Sequence, residues 1–191
     1  MALMDPYGLT LFSVEWWGVV LGVTSTGFII GGMLVARFGL GGRPVRTMLL
    51  ANVGVAAVGL VFALREWWWL YAAGIFVYMT LFPVVEAAEQ TIIQRVVPYK
   101  LQGRVFGLAA AIESASAPLS AFAIAPIAQF GLIPYMNSDA GKATWGWLVG
   151  SGQARGIALV FICASIIMLL TVIVALRSRA YRVLSASYAQ S

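Results

Sequence analysis

Three of the seven acidic residues, Glu86, Glu89 and Glu113, stand inside long apolar runs. A charge at the centre of a membrane helix costs roughly 2.5–3.5 kcal/mol even on insertion scales, so a carboxylate there needs a partner, water or a proton. Glu113 lies nine residues beyond Arg104, about 13 Å along a helix. With Arg104 at the cytoplasmic boundary, Glu113 falls near the bilayer midplane. Ser114, Ser116 and Pro118 follow it, so a local helix break with polar neighbours is expected at that depth. Two roles are open to Glu113: a carboxylate that binds and releases a proton as its surroundings change, or a hydrogen-bonded structural residue. Glu86, Glu89, Gln90 and Gln94 occupy positions i, i+3, i+4 and i+8, one polar face on an apolar helix. That face either lines a water-filled cavity or forms salt bridges with Arg95 or Arg104 at the inner boundary.

Other chemistry is excluded by what the chain lacks. Without histidine, His-based zinc sites, Ser-His-Asp triads and Cys-His dyads are impossible, and Cys163 as the sole cysteine permits neither an intrachain disulfide nor a cysteine metal cluster. No Gly-x-x-x-x-Gly-Lys-Ser/Thr loop is present for ATP. Glu86 and Glu89 as an acid/base pair would lack any nucleophile or metal-ligand set beside them, so no enzyme, cofactor or metal is expected. The net charge of +5 is spread over loops with no basic helix or aromatic platform, which speaks against nucleic acid as a partner.

The elements that must position these carboxylates are five apolar runs, at about 16–35, 47–64, 68–97, 105–128 and 157–176. Each is long enough to cross a hydrocarbon core of about 30 Å, and 61% hydrophobic residues with a mean hydropathy of +0.91 set the chain apart from soluble domains. The expected fold is an all-α, polytopic bundle of five transmembrane helices in a single domain over 1–191, with 177–191 as a cytoplasmic tail. The lipid bilayer is thus the first partner. Arg37, Arg43, Arg46, Arg95, Lys100, Arg104, Arg177, Arg179 and Arg182 follow the first, third and fifth runs, while only Arg65, Lys142 and Arg155 fall in the other loops. The positive-inside rule then predicts an extracytoplasmic N-terminus and a cytoplasmic C-terminus. No basic segment precedes the first run, so no cleaved signal peptide is expected.

Residues 1–15, with Asp5-Pro6-Tyr7-Gly8 as a turn, read as an extracytoplasmic loop. Arg65-Glu66 makes a tight hairpin beside Trp67, Trp68 and Trp69, an aromatic belt. The third run is overlong, and Pro83 offers a kink. Residues 129–156, including Trp145, Trp147 and Gly150-Ser151-Gly152, read as the one substantial loop. Small residues recur every four positions at Gly18 and Gly22, at Gly27 and Gly31, and at Gly103, Gly107, Ala111 and Ala115, as suits close helix packing either within this chain or against helices outside it.

Gly32-Met33-Leu34-Val35-Ala36-Arg37-Phe38-Gly39 resembles the Gly-x-Leu-x-Asp-Arg-x-Gly loop of the major facilitator superfamily, in the degenerate form of its C-terminal half. Val97-Pro98-Tyr99-Lys100-Leu101-Gln102-Gly103-Arg104 is similar to that superfamily's loop before its eleventh helix. With Gln90-Thr91-Ile92-Ile93-Gln94, Ala117-Pro118-Leu119 and 150–159 in order around it, nearly the whole chain resembles the macrolide-efflux-like branch of drug:proton antiporters. The resemblance implies helices eight to twelve of a partial major-facilitator fold in a bacterial cytoplasmic membrane, exporting a small amphipathic substrate. It also implies that the third run lines a central cavity and that the first and fourth face a missing N-terminal half; Glu113 remains the proton-coupling candidate on the strength of its depth alone. Ala36 stands where the loop's Asp would be, so that acid's charge-relay role has no counterpart here. The competing expectation is a truncated, non-transporting module that assembles with other membrane proteins.

Overall fold

The computed structural model describes residues 3–64, 67–149, 153–179 and 181, and among them the regular structure is entirely helical. In chain order the elements are α1 (Met4–Leu11), α2 (Val14–Phe38), α3 (Pro44–Ala63), α4 (Trp68–Val96) and α5 (Tyr99–Pro126). A π-helical segment (Ile127–Leu132), α6 (Ile133–Asn137), α7 (Asp139–Val149) and α8 (Gln153–Arg177) complete the fold. Five helical stretches are long and apolar enough to cross a membrane: α2, α3, α4, the rod from Tyr99 to Asn137, and α8. The chain is an all-α, multi-pass membrane protein. Arg65, Glu66, Gly150-Ser151-Gly152 and most of the expected tail lie outside the described residues.

Short loops join the first helices. Gly39 closes α2 with φ +67°, a left-handed conformation that glycine adopts without cost, and its N–H donates to the Val35 carbonyl at 2.8 Å. Pro44 opens α3 at a position that needs no N–H donor. The Thr47 hydroxyl donates to Leu40 O at 2.8 Å and fastens the loop to the first turn of α3.

Helix α4 is central: α2 and α3 both pack on it, and α8 packs on the far side of α3. The α2–α4 seam is a backbone approach. A Cβ at Gly27 would lie 2.8 Å from Phe76 O and 2.9 Å from Thr80 Oγ1, and one at Gly31 would strike Thr80 O and crowd Pro83 Cγ at 3.2 Å. These two glycines are buried and fit the ridge that Thr80 and Pro83 raise on α4. Pro83 sits within an uninterrupted α4 despite lacking the N–H that Met79 O would accept.

The N-terminal segment is a helix, contrary to the expected loop and turn. Pro6 falls in the first turn of α1, where its missing N–H costs nothing, and Gly8 leaves room for the Trp17 ring. Trp17 Nε1 donates to Asp5 Oδ1 at 3.1 Å, and the Tyr71 hydroxyl donates to Met4 O at 2.8 Å. Four rings, one from each of α1, α3, α4 and α8, then close a circuit. Tyr7 meets Tyr71 at 4.9 Å, Tyr71 meets Phe62 at 5.2 Å, Phe62 meets Phe161 at 5.3 Å and Phe161 meets Tyr7 at 5.9 Å, all edge to face. Edge-on aromatic pairs contribute about 0.5–1.5 kcal/mol each beyond their burial, so this circuit holds α1 to the bundle.

Residues 129–149 are a helical corner instead of the expected loop. Pro126 withholds the N–H that Phe122 O would accept, and the wider π turn begins directly after it. Ser138 separates α6 from α7: its Oγ donates to Tyr135 O at 2.6 Å and accepts from Gly141 N–H at 3.2 Å. A Cβ at Gly141 would strike the Tyr135 carbonyl, and one at Gly156 would strike Ile133. Both glycines let the chain double back tightly from α6 to α8. Trp145 is packed against the core that Met136 and Ile157 share.

Candidate functional site

The polar face of α4 emerges below its midpoint. Glu86, Glu89, Gln90 and Gln94 are all exposed along it, and Glu113 is exposed halfway along α5. Glu86 lies within electrostatic reach of Glu113 and of Glu89, so the junction of α4 and α5 gathers three carboxylates from two helices. Tyr78, two turns up α4, also feels the Glu86 charge. Among the described residues no group of three His, Cys, Asp or Glu side chains is close enough to hold a metal ion. The carboxylates are exposed and near enough for electrostatic coupling, which suits proton exchange or attraction of a cationic group.

The turn between the helices brings α5 back beside α4. Pro98 caps the start of α5, and Gln102 Nε2 reaches back to donate to Gln94 O at 2.8 Å and Val97 O at 3.1 Å. Those are carbonyls that the end of α4 leaves without helical donors. Gln102 thus fastens the turn that joins the helix carrying Glu86 to the helix carrying Glu113. The helix break expected beside Glu113 does not occur, since α5 continues through Pro118 and the Ser116 hydroxyl donates to the Glu113 backbone carbonyl at 2.7 Å. The irregularity lies two turns further on, after Pro126.

The remaining singled-out residues divide by what surrounds them. Gly27 and Gly31 are filled by α4, whereas nothing lies within 4 Å of a Cβ placed at Gly18, Gly22, Gly32, Gly103 or Gly107. The α2 stripe is therefore split: one part serves this bundle, the other is uncovered. Helix α5 touches α4 near the turn and the π-helical segment at its far end, and most of its intervening surface is open. Arg37 stacks its guanidinium 5.9 Å from the Phe38 ring centroid, and Gly39, Pro98 and Arg104 mark the turns at the same end. All the described basic residues except Lys142 and Arg155 gather at this end, opposite Trp16, Trp17, Trp67, Trp68 and Trp69.

Two features escaped the sequence reading. The Gln102 clamp leaves no signature beyond a glutamine in the first turn after a proline. The aromatic circuit leaves none either, because its four rings come one each from four helices and such partners cannot be read from spacing. No family model matches the chain, and neither does any curated protein or solved structure.

Proposed function

We propose that the chain is the C-terminal portion of a secondary-active efflux transporter, exporting an amphipathic organic compound against a proton gradient. The observation that carries this reading is that Glu86, Glu89 and Glu113, from two otherwise apolar helices, lie within electrostatic reach of one another about Glu86. Membrane-embedded carboxylates mark proton and substrate pathways, because they are too costly to keep without a use. In this reading Glu113 exchanges the proton, Glu86, Glu89, Gln90 and Gln94 line the route, and inward- and outward-facing states differ in the water they admit to these carboxylates. The basic end, with Arg37, Arg95 and Arg104, faces the cytoplasm of a bacterial cell, so the N-terminus is outside and the C-terminus inside. The N-terminal half that completes the transporter covers the open faces of α2 and α5.

The test is reconstitution. The chain and an N-terminal half-transporter are placed in liposomes loaded with a pH dye, and an amphipathic dye is added on one side. Substrate-driven proton movement that needs both halves supports the reading. Association of the two without any coupled flux, lost when Gly22→Leu or Gly107→Leu closes the open faces, favours the alternative of a non-transporting assembly module.

A further inference from the structure

Away from the carboxylates, at the tryptophan-bearing end, the bundle forms a half-open cavity of about 170 Å³. It exists because α3 packs on both α4 and α8, which make no substantial contact with each other. Gly59 draws α3 and α8 together, since a Cβ there would strike Ser165 Oγ, and the space opens on the α4 side of that seam. Phe62, Tyr71, Tyr78 and Phe161 supply aromatic walls, three of them members of the edge-to-face circuit, and Met4 of α1 lies over the end. The lining is almost wholly apolar. Of its hydroxyls, that of Tyr71 is committed to the Met4 carbonyl, whereas Ser165, 6% exposed, and Tyr78 carry hydroxyls without such a tie among the described residues.

We propose that this cavity is a binding site for a single-ring aromatic molecule of the phenol class. Size and wall chemistry both select that occupant. An apolar cavity of about 150 Å³ lined by Leu, Ile and Phe stays dry and takes up benzene, so a space of this volume accepts one ring and has no room for a fused system with substituents. Rings already set edge-on present both faces and edges to a guest, the arrangement aromatic pairs prefer. A hydroxyl on the guest finds Ser165 or Tyr78 in the wall. None of the three carboxylates lines the site, and it does not depend on whether the chain takes part in transport.

The test uses the purified full chain in lipid nanodiscs, photolabelled with 3-(trifluoromethyl)-3-phenyldiazirine and mapped by mass spectrometry. Saturable labelling of Phe62, Tyr71, Tyr78 or Phe161 is expected, displaced by phenol and by benzene. Ala56→Leu, which adds bulk at a buried lining position, should abolish it. Ser165→Ala, a nearly isosteric change that keeps the fold, should weaken phenol by roughly three- to tenfold and leave benzene unchanged, the signature of one lost neutral hydrogen bond. Labelling confined to outward-facing residues and growing linearly with reagent overturns the proposal. Displacement by decane as effective as by benzene also overturns it, because the cavity is then an acyl-chain slot.

Discussion

At the residue scale, Glu113 differs from its neighbours in standing alone on α5 while Glu86 and Glu89 share a helix. Glu113→Gln keeps the size and hydrogen-bonding capacity of a protonated carboxyl. Insertion and expression should be preserved, yet the dependence of efflux on pH should disappear in the two-half transporter, with the rate flat where the wild type varies. An unchanged pH profile, measured in the same proteoliposomes, would remove Glu113 from the coupling mechanism and direct attention to Glu86 and Glu89. A second prediction concerns Tyr71, whose hydroxyl ties α1 to α4 through Met4 O. Tyr71→Phe retains the ring circuit and removes only that bond, so stability should fall by about 0.5–1.5 kcal/mol in a thermal or steric-trapping measurement. A larger loss would mean that the hydroxyl holds more than one turn of α1. The positions of the polar residues on α4 were legible, because i, i+3, i+4 spacing fixes a face. That Glu113 comes within reach of Glu86 was not, since it depends on how α5 folds back beside α4.

At the scale of elements, the long apolar helices announced themselves by length and hydropathy, α2, α5 and α8 running beyond their apolar stretches at both ends or one, α3 starting three residues early and α4 matching its stretch to within a residue. The short ones did not. Helix α1 is eight residues with Pro6 and Gly8 inside it, and α6 and α7 contain Pro134 and Gly141, residues that ordinarily signal turns. Their helicity comes from tertiary packing: the small residues are there so that Trp17, Tyr135 and Ile133 can sit against backbone. The glycine stripe of α2 makes the same point quantitatively. At Gly31 the obstacle is the backbone of α4, which cannot rotate aside, so Gly31→Ala should destabilise by about 1–3 kcal/mol, the usual cost of overpacking. Gly22→Ala, with nothing within 4 Å, should leave the melting temperature of the isolated chain unchanged. Equal effects at both positions would show that the α2–α4 seam is looser than its geometry.

At the scale of the whole molecule, the two ends carry opposite chemistry, arginines at one and tryptophans at the other. Single cysteines in a Cys163→Ala background should report which end faces which compartment. Gly42→Cys and Tyr99→Cys at the arginine end should resist a membrane-impermeant thiol reagent in intact cells, whereas Lys142→Cys at the tryptophan end should label. Reversed labelling would invert the topology. Composition already marked the chain as a membrane protein. The unequal covering of its helices was not legible, since the sequence shows small-residue stripes but not which of them the chain fills for itself.

The aromatic circuit has a consequence for biogenesis. Tyr7 leaves the ribosome well before one of its two ring partners, Phe161, which is made about 150 residues later, some 8–30 s at ordinary rates of synthesis. Until α8 has been inserted, α1 can lean on Trp17 and Tyr71 but not on Phe161, and the circuit stays open. A closed circuit is therefore a record that α8 has arrived, and protection of the α1 backbone from protease gives a simple clock for assembly of this bundle.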